Sequence, residues 1–193
     1  MICHAPVGAA ALADYWLGLL SPAAEKFIEK HLLACDSCGG VLRGIIALAS
    51  ELRVLAREGT LRLVVTEAFL QCAAAEGLRI REYSPPNGGS VDCTVGAGDQ
   101  LLITRLAADL RGARRVDLSF CDEHGAERHR AADIPVAAAA GEVIHQESIA
   151  FAKASPTARL VARLLAVEES GAERLIGEYT FNHTRTLPGP GDG

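Results

Sequence analysis

Three residues near the start of the chain, His31, Cys35 and Cys38, have the spacing of metal ligands. His31 and Cys35 are four positions apart, so both should project from one face at the C-terminal end of a helix, and Cys38 follows after a turn. Thiolate and imidazole groups are the ligands of tetrahedral zinc sites. A structural site needs a fourth ligand, and the N-terminus offers Cys3 or His4. We prefer Cys3, because thiolate is the stronger zinc ligand.

The same residues have two other interpretations. His31 can be a half-buried helix histidine beside an accidental pair of small apolar residues, Cys35 and Cys38. The pair can also be a thioredoxin-like redox motif, although that motif normally begins a helix after a strand and here it follows a helix. We favour Zn²⁺, because the histidine has the correct phase and the N-terminus supplies a fourth ligand. Binding free energy would then become folding free energy.

Three helices should position these ligands. The first covers Ala9–Leu20, and Ser21 then caps a second helix over Pro22–Ala34. Gly39-Gly40 should break the chain before a third helix, Val41–Arg57. The apolar stripe of the third helix consists of Leu42, Ile45, Ile46, Ala49, Leu52 and Leu55. The stripe is wide for a three-helix unit, so part of it is available to a partner or to the rest of the chain.

The pattern changes after this helical part. Leu61–Val65 is either a strand or the start of a helix, and Thr66 should cap a helix that stops at Gly77. Eight short β-branched or alternating segments follow, separated by turn clusters. They are Leu78–Tyr83, Val91–Val95, Leu101–Leu110, Arg115–Phe120, Glu127–Ala131, Glu142–Gln146, Leu160–Val167 and Leu175–Phe181. This spacing, with no long helices between the segments, predicts an antiparallel β-sandwich or barrel-like domain.

The predicted fold class is therefore α+β. We expect a zinc-binding helical domain at residues 1–58, a connecting helical segment at 59–77, a β-sandwich-like domain at 78–184 and a disordered tail at 185–193. The chain has 193 residues and a formal net charge of -5, which disfavours direct nucleic-acid binding through phosphate contacts. We find no signal peptide and no apolar run of the roughly 20 residues that cross a bilayer. These features predict a soluble, cytoplasmic protein without membrane contact, whose six cysteines are reduced.

The N-terminal third resembles a bacterial family. A Cys or His near the start, an apolar helix with the sequence Leu12–Gly18, Ser21-Pro22, and the motif His31-x3-Cys35-x2-Cys38 together resemble the zinc-binding anti-sigma factor domain. The resemblance covers about residues 3–58. It implies a cytoplasmic helical domain that binds an extracytoplasmic-function sigma factor and blocks its access to RNA polymerase. Members of the family carry a sensing part after this domain.

We therefore expect a non-enzymatic regulator whose β-domain senses a signal or has a structural role. Oxidation of the ligand cysteines, with loss of zinc, is one possible switch. The alternative is a zinc-stabilised protein-interaction module whose β-sandwich binds an unknown ligand or protein. No enzyme motif is evident: Ser155, His145 and Asp133 lack the elbow that positions a hydrolase triad, and the histidines after residue 78 are scattered in the sequence.

Overall fold

The computed structural model describes residues 3, 5–113, 115–134, 141–168 and 171–186. The chain divides into two compact units, Met1–Leu55 and Ala56–Gly193. The first unit is helical and the second is rich in β-strands, so the α+β class is confirmed. His4 and residues 187–193 of the predicted tail lie outside the described residues.

The first unit contains helices α1 (Ala9–Trp16) and α2 (Pro22–Leu32) and most of α3 (Asp36–Arg57). The predicted cap of α2 is confirmed, because the Ser21 hydroxyl accepts a hydrogen bond from the Ala24 N–H at 3.4 Å and Pro22 lies in the first turn. The axes of α2 and α3 differ in direction by 115°. The chain therefore bends sharply between Leu32, where α2 ends, and Asp36, where α3 begins.

Helix α3 begins five residues earlier than the sequence predicts. Gly39 and Gly40 lie inside its first turns instead of breaking the chain, and the Gly39 N–H donates to the Cys35 carbonyl at 3.1 Å. A helical glycine costs roughly 1 kcal/mol relative to alanine. This cost was the reason to expect a break at the two glycines. The helix nevertheless starts before them, because the thiol of Cys35 accepts a hydrogen bond from the Cys38 N–H and caps it.

The first unit has a very small apolar core. Among its described residues only Leu12, Ile28 and Cys38 are buried. Outside that core, the Arg53 guanidinium lies 5.0 Å from the centre of the Trp16 ring and joins α3 to α1. Several large apolar side chains are instead exposed, including Phe27 and Leu33.

The second unit is a sandwich of two sheets. The four-stranded sheet has the order β1-β7-β4-β2 and the five-stranded sheet has the order β3-β9-β8-β5-β6. The strands are β1 Leu63–Val65, β2 Ile80–Tyr83, β3 Ser90–Cys93, β4 Leu101–Ala107, β5 Arg115–Cys121, β6 Glu127–Ile134, β7 Glu142–Glu147, β8 Ala158–Val167 and β9 Glu173–His183. Helix α4 (Glu67–Ala75), capped by Thr66 as predicted, follows β1, and helix α5 (Ile149–Ala154) follows β7. All eight predicted strands are present, and α5 is an addition.

The sheets are mixed, not purely antiparallel as the sequence analysis expected. Strand β2 runs parallel to β4, and β3 runs parallel to β9. The chain leaves β2, crosses to the other sheet as β3 and returns as β4, and such a crossover gives a parallel pair. Hydrophobic spacing indicates which face of a strand is buried but not the direction of the strand, so the local pattern could not predict these parallel pairs.

The main core lies between the two sheets. It joins Leu106 of β4 and Val143 of β7 to Leu118 of β5 and Leu164 of β8. Each sheet keeps two edge strands, so the described part of the unit is a sandwich and not a closed barrel.

Strand β9 contains a glycine at a place of close packing. A Cβ added at Gly177 would lie 2.8 Å from Cζ of Tyr179, whose hydroxyl donates to the Ala107 carbonyl at 2.6 Å. The absence of a side chain at Gly177 makes room for the Tyr179 ring, and the Tyr179 hydrogen bond joins β9 to β4 of the opposite sheet.

Within the part of the chain that the structure describes, no single helix has both the length and the apolar character needed to cross a bilayer. Taken together, α2 and α3 would meet those two criteria as one bent pair.

Candidate metal centre

The turn between α2 and α3 gathers the predicted ligands. His31 is in the last turn of α2, Cys35 immediately precedes α3 and Cys38 lies in the first turn of α3. The N-terminal segment brings Cys3 to the same place. One donor atom from each of these four residues lies within 4.8 Å of the others. Among the described residues, no other group of histidine, cysteine or acidic side chains has this arrangement.

The distances between the donor atoms are short and similar. The Nε2 atom of His31 lies 3.6 Å from the Cys3 sulfur and 3.2 Å from the Cys38 sulfur. The two sulfur atoms of Cys3 and Cys38 are 4.0 Å apart. Cys38 is buried, the other three are partly buried, and all the thiols are free. The group can therefore hold one metal ion.

Cys35 occupies a different position from the one expected. Helix α2 ends at Leu32, so Cys35 does not share a helical face with His31 and instead lies at the start of α3. The hydrogen bond from the Cys38 N–H to its sulfur lowers the pKa of the Cys35 thiol to about 7, with further help from the neighbouring Cys3 thiol. The thiolate is the form that binds metals, and a helix N-terminus stabilises it.

The other cysteines lie away from this centre. Cys72, on α4, is exposed, whereas Cys93 and Cys121 are on strands of the sandwich. Burial, with a smaller contribution from Asp92, raises the pKa of the Cys93 thiol to about 11, which keeps it protonated. These thiols are poor candidates for a second metal centre.

The structure also reveals a feature that the sequence analysis missed, a cavity of about 400 Å³ within the second unit. Histidines that are scattered in the sequence meet there: His145 comes from β7 and His183 from β9 of the opposite sheet. The sequence contained a weak signal for this arrangement. His145 comes two residues after the core residue Val143, and His183 comes two residues after the core residue Phe181. Such spacing places each ring on the inner face of its strand.

The residues considered for a hydrolase triad do not assemble. Ser155 lines the cavity with His145, but its hydroxyl donates to the Phe151 carbonyl at 2.9 Å. Asp133 is not among the lining residues and pairs with Arg115 at 3.0 Å.

No protein-family model matches the chain, and no curated protein matches it either.

Proposed function

We propose that the chain is a cytoplasmic, zinc-binding regulator that resembles an anti-sigma factor and sequesters an extracytoplasmic-function sigma factor through its first unit. The observation that carries the proposal is the convergence of Cys3, His31, Cys35 and Cys38 within 4.8 Å. Three steps lead from that observation to the function: the identity of the ion, its structural role and the surface that it supports.

The donor set favours zinc. Three thiolates and one imidazole suit a borderline-soft ion, whereas Mg²⁺ and Ca²⁺ prefer oxygen ligands. With ordinary Zn–S and Zn–N bond lengths, tetrahedral geometry places two sulfurs about 3.8 Å apart and a sulfur and a nitrogen about 3.6 Å apart. In the structure the Cys38 and Cys3 sulfurs are 4.0 Å apart, and Nε2 of His31 lies 3.6 Å from the Cys3 sulfur and 3.2 Å from the Cys38 sulfur, all within about 0.4 Å of those values.

The site has a structural role because the first unit has little else to hold it together. A core of Leu12, Ile28 and Cys38 is too small to stabilise three helices, and small domains of this kind depend on metals or disulfides. All four ligands are protein side chains, which leaves no open position for a substrate. The ion therefore joins the N-terminal segment, α2 and α3.

Helix α3 presents an apolar face beside this centre. Val41, Leu48, Leu52 and Leu55 are all exposed, and Leu48 is 62% exposed. At about 100° per residue these four side chains fall within roughly 60° of the helix circumference, and we call them the α3 stripe. An apolar helical stripe of this length is suited to a helix-in-groove contact with a protein partner.

A sigma factor is the proposed partner because the family resemblance and the α3 stripe fall on the same residues. The resemblance covers about residues 3–58, which include the four ligands and the whole stripe. Binding there would cover the surface by which the sigma factor engages RNA polymerase. The β-domain then senses a signal or supports the helical unit, and no catalysis is assigned to the chain.

The test is co-purification of the full chain, produced with ample zinc, with an extracytoplasmic-function sigma factor of the same host. We expect one zinc per chain and a stable complex. The Leu48→Glu substitution places a charge in the α3 stripe and should weaken the complex at least about tenfold, because burying an unpaired carboxylate is costly.

The matched control is Leu175→Glu, which makes the same change at a leucine of β9 that is 52% exposed. It should leave both zinc content and sigma binding unchanged. Absence of a complex with the wild-type chain, or equal loss of binding in both variants, would remove the sigma factor from the proposal.

The alternative function is a zinc-stabilised interaction module whose sandwich binds a ligand or another protein. The cavity between the sheets favours it. A chain that binds zinc, fails to bind the sigma factor and retains a ligand in its second unit would support this alternative.

A further inference from the structure

The cavity in the second unit has an apolar wall built from both sheets. Leu102 lies on β4, Phe120 on β5, Leu160 on β8 and Phe181 on β9, and Phe151 and Ala152 of α5 also line the cavity. Its volume of about 400 Å³ falls within the range of small-molecule sites, roughly 300–1,000 Å³. A well-packed sandwich leaves few voids larger than a water molecule. This space is therefore far larger than a packing defect.

Two buried histidines face this space without satisfying their hydrogen-bonding capacity. His145 is 1% exposed and its ring is centred 4.9 Å from the ring of Phe120, which also lines the cavity. Its Nδ1 atom has no hydrogen-bond partner, and neither has Nε2 of His183. Buried polar atoms are nearly always paired, because an unpaired one costs free energy. Two of them at one cavity indicate a ligand that carries at least one hydrogen-bonding group.

Both rings are uncharged near neutral pH. Burial lowers the pKa of His145 to about 3, with smaller contributions from His129 and Arg62. Burial also lowers the pKa of His183, partly offset by a hydrogen bond to the Ser155 backbone. A neutral imidazole has one donor and one acceptor nitrogen. Because the His183 ring donates to the Ser155 carbonyl, its unpaired Nε2 is the acceptor.

The charged groups around the cavity are already paired. Arg128 lies 2.7 Å from Asp122, and Glu147 pairs with Arg62. No unpaired charge among the described lining residues is therefore available to a charged ligand. The wall selects for an uncharged, mainly apolar molecule with a hydrogen-bond donor.

We propose that this cavity binds a small, uncharged, mainly apolar alcohol or phenol whose hydroxyl group donates to Nε2 of His183. His145 lines the same cavity from the opposite sheet. The inference is independent of the metal centre and of the sigma factor, since every residue that carries it belongs to the second unit.

The experiment measures binding of 1-naphthol to the zinc-loaded full chain by fluorescence titration. We expect saturation at one molecule per chain. 1-Methoxynaphthalene has the same rings but cannot donate a hydrogen bond, so it should bind about fivefold more weakly. In the His183→Leu variant that difference should disappear. Failure of 1-naphthol to saturate, or equal binding of the two probes to the wild type, would overturn the proposal.

A second pair of variants locates the probe. Ala158 lines the cavity, so Ala158→Phe should fill part of it and weaken 1-naphthol binding at least about tenfold. Ala154 is exposed on α5 and does not line the cavity, so Ala154→Phe adds the same ring elsewhere and should have no effect. Wild-type affinity in Ala158→Phe would place the probe outside the cavity and contradict the proposal.

One measurement needs no substitution and so does not depend on the folding of a variant. In imidazole ¹⁵N spectra of the wild-type chain, 1-naphthol should shift the resonances of His145 and His183. The exposed ring of His124 provides the internal control and should not move. A shift confined to His124, or no shift at all, would overturn the proposal.

Discussion

In the first unit only Leu12, Ile28 and Cys38 are buried among the described residues, whereas the second unit encloses a continuous apolar core between two sheets. The helical unit exposes apolar side chains that a stable monomeric domain would normally bury. The sandwich buries most of its large apolar side chains, together with two histidines that line a cavity. The second unit is therefore stabilised by apolar area removed from water, whereas the first unit, by the function proposed above, depends on metal ligation by four side chains.

This difference means that each unit should respond to its own perturbation. Removal of the metal should affect the helices and spare the sheets, and a core truncation should do the opposite. Trp16 is the single tryptophan and lies in the first unit, so its fluorescence reports on that unit alone. Hydrogen exchange of strand amides reports on the second.

The largest effect is expected from the double substitution Cys35→Ser and Cys38→Ser. Apparent binding free energies of structural zinc sites are about 10–16 kcal/mol, which exceeds the stability of a unit of this size. We expect loss of bound zinc, loss of the Trp16 fluorescence transition and full hydrogen exchange across α1 and α2. Exchange across β8 should remain as in the wild type.

Cys72→Ser is the matched control, because Cys72 is an exposed free thiol outside the cluster. It should retain zinc and the folded helices. If the double variant keeps a folded first unit, a metal does not hold that unit together and the contrast between the two units is wrong.

A smaller effect, on the second unit instead of the first, is expected from Leu118→Ala. Leu118 of β5 is fully buried between the sheets, and such truncations cost about 2–5 kcal/mol. Chemical denaturation followed by strand exchange should show this loss in the second unit. Zinc content and the Trp16 signal at low denaturant should not change. An equal loss of stability in both units would show that they unfold in a single cooperative transition.

The smallest of the three effects is the loss of stability of the second unit at acidic pH. His145 is neutral when folded, with a pKa of about 3 against an ordinary value of 6.5. Between those pH values the unfolded chain binds the additional proton, so the unfolding free energy of the second unit should fall as the pH is lowered below 6.5. From pH 8 to pH 5 the loss amounts to about 2 kcal/mol.

The His145→Phe variant tests the origin of this loss, because it keeps an aromatic ring beside Phe120 and cannot titrate. Its unfolding free energy should depend less steeply on pH over the same range. Some dependence should remain, since burial lowers the pKa of His183 in the same direction. An identical slope in both proteins would exclude His145 as the source.

Much of the fold follows from local sequence. Ser21 and Thr66 mark helix starts because their hydroxyls accept backbone hydrogen bonds in the first turn, and both caps are present. The strands follow from β-branched segments between turn clusters. Helix α5 was missed because six residues are too few to show a helical period, and strand direction depends on partners far away in the sequence.

The metal centre was the easier of the two sites to predict. Cys35 and Cys38 are close in sequence and His31 is one helical turn away, so local spacing places three donors together before the fold is known. Choosing Cys3 required the assumption that the N-terminal segment reaches these three donors. In the structure the Cys3 sulfur lies beside them. His145 and His183 lie in different sheets, so only the packing of the sandwich brings them to one cavity.

The position of Cys38 inside α3 has one more consequence. The helix that carries the ligand also carries Leu48, which lies about 15 Å further along the axis at 1.5 Å per residue. The first turns of α3 contain Gly39 and Gly40, so this end is the part of the helix most prone to fray. A metal ion bound by Cys38, as proposed, would hold this weak end in helical form, and its loss would let unwinding spread along α3 from Cys38 towards Leu48.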